Sequence, residues 1–146
     1  MDDLKYVIKR NNWNDLTSIL FLPLLKNDPF ISMDDWKEGV KSGSLGLFNV
    51  WNAQGEIIAA FIVRIDESPK ANELVIVAAA GNTPQSENGM GLYDLITPYV
   101  VQLANKAECT YMRAHTDRLG VTKLLERAGY ETEEYICRLE IANYEQ

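Results

Sequence analysis

Residues 73–103 have the sequence ELVIVAAAGNTPQSENGMGLYDLITPYVVQL, and the spacing of their apolar side chains changes along the segment. After the first residue, residues 73–79 are apolar throughout and predict a buried strand. A polar loop follows and ends in Gly89, Met90 and Gly91, after which apolar residues recur at helical spacing. A strand, a glycine loop and a helix in this order present backbone N–H groups at a helix N-terminus. The segment therefore predicts an anion-binding loop.

The helix predicted after this loop has one apolar face. Its members follow the i, i+3, i+4, i+7 spacing of an α-helix and are Leu92, Leu95, Ile96, Tyr99, Val100 and Leu103. Pro98 lies within the same stretch and removes one helical hydrogen bond. We therefore expect a kink at Pro98, unless the missing bond lies on the solvent side of the helix.

The rest of the chain alternates between strand and helix patterns. Apolar or alternating runs predict further strands at residues 4–9, 45–51, 56–65, 109–115 and 134–141. Helical spacing predicts helices at residues 12–25, from a cap at Ser32 to Gly43, and over residues 121–128, where Gly129 ends the helix. The resulting order is β, α, α, β, β, β, α, β, α, β, which predicts a single α/β domain spanning residues 1–146.

The composition limits the classes of function. The chain has 146 residues, of which 47% are apolar and 24% charged, and this suits one globular domain with a buried core. Its formal net charge of −7 argues against a general nucleic-acid or membrane-surface binder, because phosphate groups would be repelled. An acidic surface would attract a cationic substrate such as an amine, but acidic residues also serve solubility alone.

The cysteines and the N-terminus bear on the cellular compartment. Cys109 and Cys137 lie far apart in apolar runs, which predicts free thiols in a reducing compartment rather than a disulfide framework or a metal site. The N-terminal residues MDDLKYVIKR are charged where a signal peptide would be apolar. No apolar run is long enough to span a bilayer. We therefore expect a cytoplasmic protein without a membrane partner.

Several polar and aromatic residues are candidates for a site. His115 is the only histidine, so it is the one side chain that ordinarily titrates near neutral pH, although a structural or surface role is the commoner outcome. Arg113 and Arg118 lie close to it in sequence and suit either phosphate binding or surface ion pairs. Trp13 and Trp36 lie in the first two predicted helices and suit either an acceptor pocket or core packing.

Three segments together resemble the GNAT superfamily, the Gcn5-related N-acetyltransferases. They are the strand NELVIVAA, the loop Glu87-Asn88-Gly89-Met90-Gly91, and the ending RLGVTKLLERAGYE, all placed in the order of elements given above. The loop falls where the family has a Gln/Arg-x-x-Gly-x-Gly/Ala pattern. The resemblance implies a GNAT-like α/β fold with a mixed, mostly antiparallel central sheet of six to seven strands flanked by about four helices.

The resemblance also implies an activity, the transfer of an acetyl group from acetyl-CoA to an amine on a small molecule or a peptide. In such a reaction the thioester would lie between the separated central strand and its neighbour. Backbone amides would polarise its carbonyl, and they belong to Val77, Ala78 and Ala79. In some family members a glutamate at the position of Glu73 is the general base. Glu73 and His115 are therefore the two candidate bases.

The same resemblance assigns the co-substrate to the glycine loop. The CoA pyrophosphate would be held by the backbone amides of Asn88, Gly89, Met90 and Gly91. Arg118 is a further candidate for the CoA phosphates, although it also stands where the family usually has an asparagine.

The sequence departs from the family pattern at three positions. Ser86 stands where the pattern has Gln or Arg, Glu87 adds a carboxylate, and Leu125 replaces a tyrosine that protonates the leaving thiolate in many members. Two unit charges about 4 Å apart at a partly exposed site interact by roughly 4 kcal/mol, so Glu87 must point away from bound CoA. These departures favour an alternative class, a GNAT-like binding or structural module without catalysis. Some phage virion-associated proteins are of that kind, and such a module would have a protein partner or a second copy of itself.

Overall fold

The structure is a computed structural model, and it describes residues 6–25, 31–81, 91–114, 125–127, 129–131 and 139. The strands in these ranges are β1 Val7–Arg10, β2 Gly46–Trp51, β3 Ile57–Asp66, β4 Glu73–Gly81 and β5 Tyr111–Ala114. The helices are α1 Asp15–Leu25, α2 Met33–Ser42 and α3 Leu92–Lys106. None of the described helices is both long enough and apolar enough to cross a membrane.

The strands form one sheet in the order β1-β2-β3-β4-β5. Neighbours from β1 to β4 pair antiparallel. Short hairpin connections join β2 to β3 and β3 to β4, whereas α1 and α2 lie between β1 and β2. Strand β5 pairs parallel to β4, and the chain makes this crossover through α3. The predicted mixed, mostly antiparallel sheet is confirmed.

Both faces of the sheet are buried. Adjacent residues of one strand belong to different hydrophobic clusters, because successive side chains point to opposite faces. Phe48 and Phe61 belong to the cluster that packs against α3 together with Ile96 and Val100. Their neighbours Leu47 and Ile62 belong to the cluster that packs against α1 and α2, with Phe21 and Trp36. Burial on both faces explains why β2, β3 and β4 are nearly continuous apolar runs.

The ends of α2 follow the sequence closely. Ser32 Oγ accepts a hydrogen bond from Asp35 N, and Asp35 Oδ2 accepts one from Ser32 N, each at 3.2 Å. This is the predicted capping box. At the other end Gly43 has a φ of 89°, a left-handed conformation that suits glycine, and it ends the helix as predicted.

Helix α1 begins later than predicted. The periodic pattern starts at Asn12, but Asn14 Oδ1 accepts a hydrogen bond from Thr17 N at 2.9 Å and caps a helix that begins at Asp15.

In α3, Pro98 is exposed. The backbone hydrogen bond that the proline removes therefore lies on the solvent side, where the sequence analysis expects the helix to accommodate Pro98.

The remaining differences concern strand number and the C-terminal region. The described residues contain five strands, which is fewer than the six to seven predicted, whereas α1, α2, α3 and the helical residues 125–127 agree with the prediction of about four helices. The predicted last strand, residues 134–141, lies almost wholly outside the described residues, which include only position 139 of it. Of the predicted helix at residues 121–128, the described residues 125–127 are helical, and Gly129 follows with a φ of 105°.

Candidate functional site

Strand β4 contains a β-bulge at Val77. Ile62 of β3 pairs with Ala78 and Val63 pairs with Ile76, so Val77 is an extra residue without an opposite partner on β3. Val77 and Ala78 both pack into the cluster that faces α1 and α2. Two consecutive side chains on one face are expected where a bulge interrupts the alternation.

The described pairing between β4 and β5 involves the first four residues of β4. It joins Glu73 to Tyr111 at one end and Ile76 to Ala114, the last described residue of β5, at the other. The pairing between β4 and β3 continues to Gly81. The bulge at Val77 directly follows the last described β4–β5 pair.

The N-terminus of α3 carries its own carboxylate. Gly91 is the N-cap residue, and its N–H donates to Asp94 Oδ2 at 3.2 Å. Because glycine has no side chain, only this half of a capping box exists, and Gly91 cannot cap the amide of Asp94 in return. A carboxylate in the first turn is favoured by the helix dipole.

Asp94 is also paired with a residue far along the chain. Its Oδ2 accepts a hydrogen bond from Arg127 Nη2 at 2.5 Å. The Arg127 hydrogen bond lowers the pKa of the Asp94 carboxyl, partial burial opposes this, and the Gly91 N–H assists it. The negative charge at the start of α3 is therefore held in place and largely neutralised by one guanidinium group.

Glu73 is the first residue of β4, four positions before the bulge. Arg113 Nε lies 3.2 Å from Glu73 Oε1, although without the geometry of a hydrogen bond, and Arg113 Nη2 donates to Asp66 Oδ2 at 2.9 Å. Asp66 also pairs with Arg64. Four residues of strand separate Glu73 from Val77, a distance of about 13 Å. The structure thus places Glu73 in an ion-pair network and away from Val77, Ala78 and Ala79.

The other predicted site residues fall partly outside the described ranges. Gly91, Val77, Ala78 and Ala79 are described; His115, Arg118, Asn88, Gly89 and Met90 are not, and neither are Ser86 and Glu87. Leu125, which stands at the family's tyrosine position, is 6% exposed. No described group of three or more His, Cys, Asp and Glu side chains could hold a metal ion.

Two polar residues near α3 were not identified from the sequence. Asp94 lies three positions after Gly91, and this spacing is the signal for a carboxylate that caps the preceding N–H. Tyr130 Oη lies 3.4 Å from Thr97 Oγ1, and burial raises the pKa of this phenol despite the hydrogen bond to Thr97. Tyr130 therefore remains protonated near neutral pH and can donate a hydrogen bond.

Trp13 and Trp36, for which the sequence left open an acceptor pocket or core packing, lie in different environments. Trp36 is 6% exposed and contacts Phe21 edge to face, with a centroid distance of 5.3 Å, so it packs in the core. Trp13 is only half-buried, and its Nε1–H donates to Ser18 Oγ at 2.8 Å. Trp13 is thus the tryptophan of this pair that retains surface for a ligand.

The sequence by itself identifies no close relative. A scan against protein-family models found no match. A search of curated proteins likewise found no significant match.

Solved structures do match the fold over almost the whole chain. An aminoglycoside acetyltransferase, meta-AAC0020, from an uncultured soil metagenomic sample superimposes with a TM-score of 0.66 at 14% identity, covering 92% of this chain and 94% of that one. The aminoglycoside 6'-N-acetyltransferase AAC(6')-Ih from Acinetobacter baumannii gives a TM-score of 0.67 at 12% identity, covering 93% and 97%. An acetyltransferase from Trypanosoma brucei gives 0.66 at 16% identity, covering 93% and 99%.

These neighbours are acetyltransferases, and the order of elements and the mixed, mostly antiparallel sheet agree with the fold expected from the sequence. The chain has the fold of the Gcn5-related N-acetyltransferases, the GNAT fold.

Proposed function

We propose that this protein transfers an acetyl group from acetyl-CoA to an amine on a small molecule. The observation that carries the proposal is the Val77 bulge, an extra residue of β4 that has no opposite partner on β3. A sheet interior normally uses every backbone amide in its ladder. The Val77 bulge interrupts this ladder on a strand packed on both faces, and bulges are over-represented next to active sites, which makes it a place for an extended co-substrate.

The backbone of β4 would supply the electrostatic part of catalysis. The backbone of Val77, Ala78 and Ala79 is held in place by the pairing of Ile76, Ala78 and Ala79 with β3 and by burial of Ala78. Fixed N–H groups stabilise the charge that develops on a carbonyl oxygen during acyl transfer, and removing one such donor costs about 10²–10³ in kcat in known enzymes. Because these donors are main-chain groups, the site does not depend on a particular side chain at these positions.

The acceptor amine has to lose a proton, and the candidate acceptors of that proton are Glu73 and His115. Glu73 is paired with Arg113. His115 directly follows Ala114, whose partner Ile76 adjoins the bulge. Glu73→Gln and His115→Gln separate the two, because loss of the general base lowers kcat by about 10²–10⁴. Substitution of whichever residue is not the base should leave kcat within about twofold of the wild-type value.

The start of α3 is the proposed binding site for the co-substrate diphosphate, formed by the amides of Asn88, Gly89, Met90 and Gly91. The positive end of the α3 dipole fits a phosphate group. The Asp94 carboxylate acts against it, but its charge is paired with Arg127. Diphosphate binding there requires that this ion pair persists. Arg118 is the further proposed phosphate ligand.

The acceptor is proposed to be a cationic amine. The net charge of −7 favours the approach of a cation, and the cytoplasm is the proposed location of the reaction. Among the structural neighbours, meta-AAC0020 has been solved in complex with sisomicin. An amine-bearing small molecule is therefore the first acceptor class to test, with a peptide amine second.

Thermal unfolding with and without acetyl-CoA tests the proposal. Ligand at about 100 times its dissociation constant should add roughly 2.7 kcal/mol to the free energy of unfolding. Gly89→Glu places a carboxylate in the proposed diphosphate site and should abolish the increase while leaving the melting temperature of the free protein unchanged. An absence of any shift at millimolar acetyl-CoA would exclude this function.

A non-catalytic module is the second candidate, and two observations favour it. Leu125 is buried and offers no hydroxyl for the leaving thiolate, and the Gly91 N–H is already occupied by Asp94. The thermal measurement separates the two candidates, because a module without the co-substrate site gives no shift. If a shift occurs without turnover of any amine, the protein binds CoA but does not catalyse transfer.

A further inference from the structure

A groove runs between the β1–α1 connection and helix α2. Its larger part has a volume of about 420 Å³ and is lined by Asn12, Trp13, Lys37, Val40 and Lys41. A second depression, of about 310 Å³, shares Asn12 and Val40 with it and extends to Arg10 and Asn11. We refer to the two together as the α2 groove. Its combined size is that of a site for a small molecule rather than for a single ion.

The charges that line the α2 groove are all positive. Lys37 and Lys41 are four positions apart on α2, so they lie on one side of the helix, and both are exposed. Neither lysine forms an ion pair within the described residues, although acidic residues are present on the same helix. Arg10 at the far end lies over the ring of Phe48, with 6.0 Å from Cζ to the centroid. A positive groove is unexpected on a protein with a net charge of −7.

The wall of the α2 groove opposite the lysines is aromatic and polar. Trp13 contacts Phe21 on its inner side, with a centroid distance of 5.9 Å, and its N–H is satisfied by Ser18. The half-buried ring therefore needs no further hydrogen bond and offers apolar surface to the groove. A planar ligand gains from such a surface, and a negative group on it gains from the lysines.

The α2 groove is separate from the proposed acyl-transfer site. It adjoins β1, which is the first strand of the sheet, whereas the Val77 bulge lies on β4. Three strand spacings, about 14 Å in total, lie between these two strands. No residue of β4 lines the groove.

We propose that the α2 groove is a second binding site, for a small anionic molecule that carries a planar ring. The ring packs on Trp13 and the anionic group lies between Lys37 and Lys41. The inference does not depend on the proposed acyltransferase function, because the residues of the groove include none that are assigned to co-substrate binding or proton transfer.

Calorimetric titration with AMP tests this site, with adenosine as the uncharged analogue. AMP should bind the wild-type protein, and the double variant Lys37→Gln/Lys41→Gln should bind it at least tenfold more weakly, a difference of about 1.4 kcal/mol. Adenosine should bind weakly to both proteins. Glutamine is a good helix former, so α2 should remain intact in the variant, which urea unfolding checks.

Lys70→Gln is the matched control, since Lys70 is an exposed lysine in the turn between β3 and β4. It should leave AMP affinity unchanged. Gly89→Glu, which alters the proposed diphosphate site, should also leave AMP affinity unchanged. No binding of AMP at millimolar concentration, equal affinity in the Lys37→Gln/Lys41→Gln variant, or loss of AMP binding in Gly89→Glu would each overturn the proposal.

Discussion

Arg127 donates a hydrogen bond to Asp94 across 33 positions of the chain, and this contact ties the last described helical turn to the first turn of α3. The same carboxylate accepts the N–H of Gly91, so one side chain stabilises both the helix start and the packing of the C-terminal region. The two contacts explain why the carboxyl group is held ionised at the entrance of the proposed co-substrate site.

The Asp94 ion pair should make stability depend on pH in the acid range. The folded-state pKa of Asp94 is lowered, so its contribution is complete above the unfolded-state pKa of about 3.9 and is lost as pH falls through the folded-state value. Asp94→Asn should lower the free energy of unfolding by about 1 kcal/mol at pH 7, and this difference should vanish at strongly acidic pH. Urea unfolding of both proteins between pH 2 and pH 7 measures it, an interval chosen to span roughly both pKa values.

Arg127→Gln provides the control for this pair. It should cost about the same as Asp94→Asn, and the double variant should cost no more than either single one, because both remove one interaction. Additive losses would mean that the two side chains act independently.

Gly81→Ala should be strongly destabilising because of its position at the end of β4. Gly81 has a φ of 149°, and an added Cβ would lie 2.5 Å from Ala59 Cα and 2.5 Å from Ile58 O. Backbone strain and overpacking each cost about 1–3 kcal/mol, so we expect a loss of about 3 kcal/mol. Gly55→Ala is the control, since Gly55 has a φ of 79° but no atom within 4 Å of the added carbon, and it should show the strain alone.

Pro98→Ala should stabilise the protein. Proline in a helix interior costs about 3 kcal/mol relative to alanine, and part of that cost is already relieved because Pro98 is exposed. Alanine also gives the unfolded chain more freedom, which offsets about 0.4–1 kcal/mol of the gain. The net expectation is a gain of about 1–2 kcal/mol in chemical unfolding. A loss would mean that α3 needs a kink at Pro98 to pack Ile96 and Val100 on the sheet.

Local sequence signals account for most of the predicted fold. The α2 cap at Ser32 and its end at Gly43 depend on residues within one helical turn, and the hairpin between β2 and β3 depends on the turn around Asn52, whose N–H donates to Glu56 O at 2.9 Å. Such interactions are complete within a few residues, so the chemistry of the segment decides them.

The candidate site was less predictable because its features depend on distant residues. The Val77 bulge lies within a run of small apolar side chains that would also fit a regular strand, and only pairing with β3 fixes it. The partner of Asp94 comes from the C-terminal region. Glu73 illustrates the same point, since its neighbour Arg113 lies on a strand that reaches β4 only through the α3 crossover.

Leu125→Tyr restores the hydroxyl that many GNAT enzymes carry at this position, and we expect it to lower stability without raising the rate of acyl transfer. Leu125 is 6% exposed, and its carbonyl accepts a hydrogen bond from Tyr130 N at 3.1 Å, so the larger ring has to enter packed space. Overpacking of this kind costs about 1–3 kcal/mol.

Leu125→Phe adds the same ring without the hydroxyl and should lose the same amount in urea unfolding. The ratio of kcat between the two variants is therefore the informative quantity. A value near one means that the leaving group takes its proton elsewhere, whereas a tenfold advantage of tyrosine would mean that position 125 reaches the leaving thiolate and that leucine there limits the wild-type enzyme.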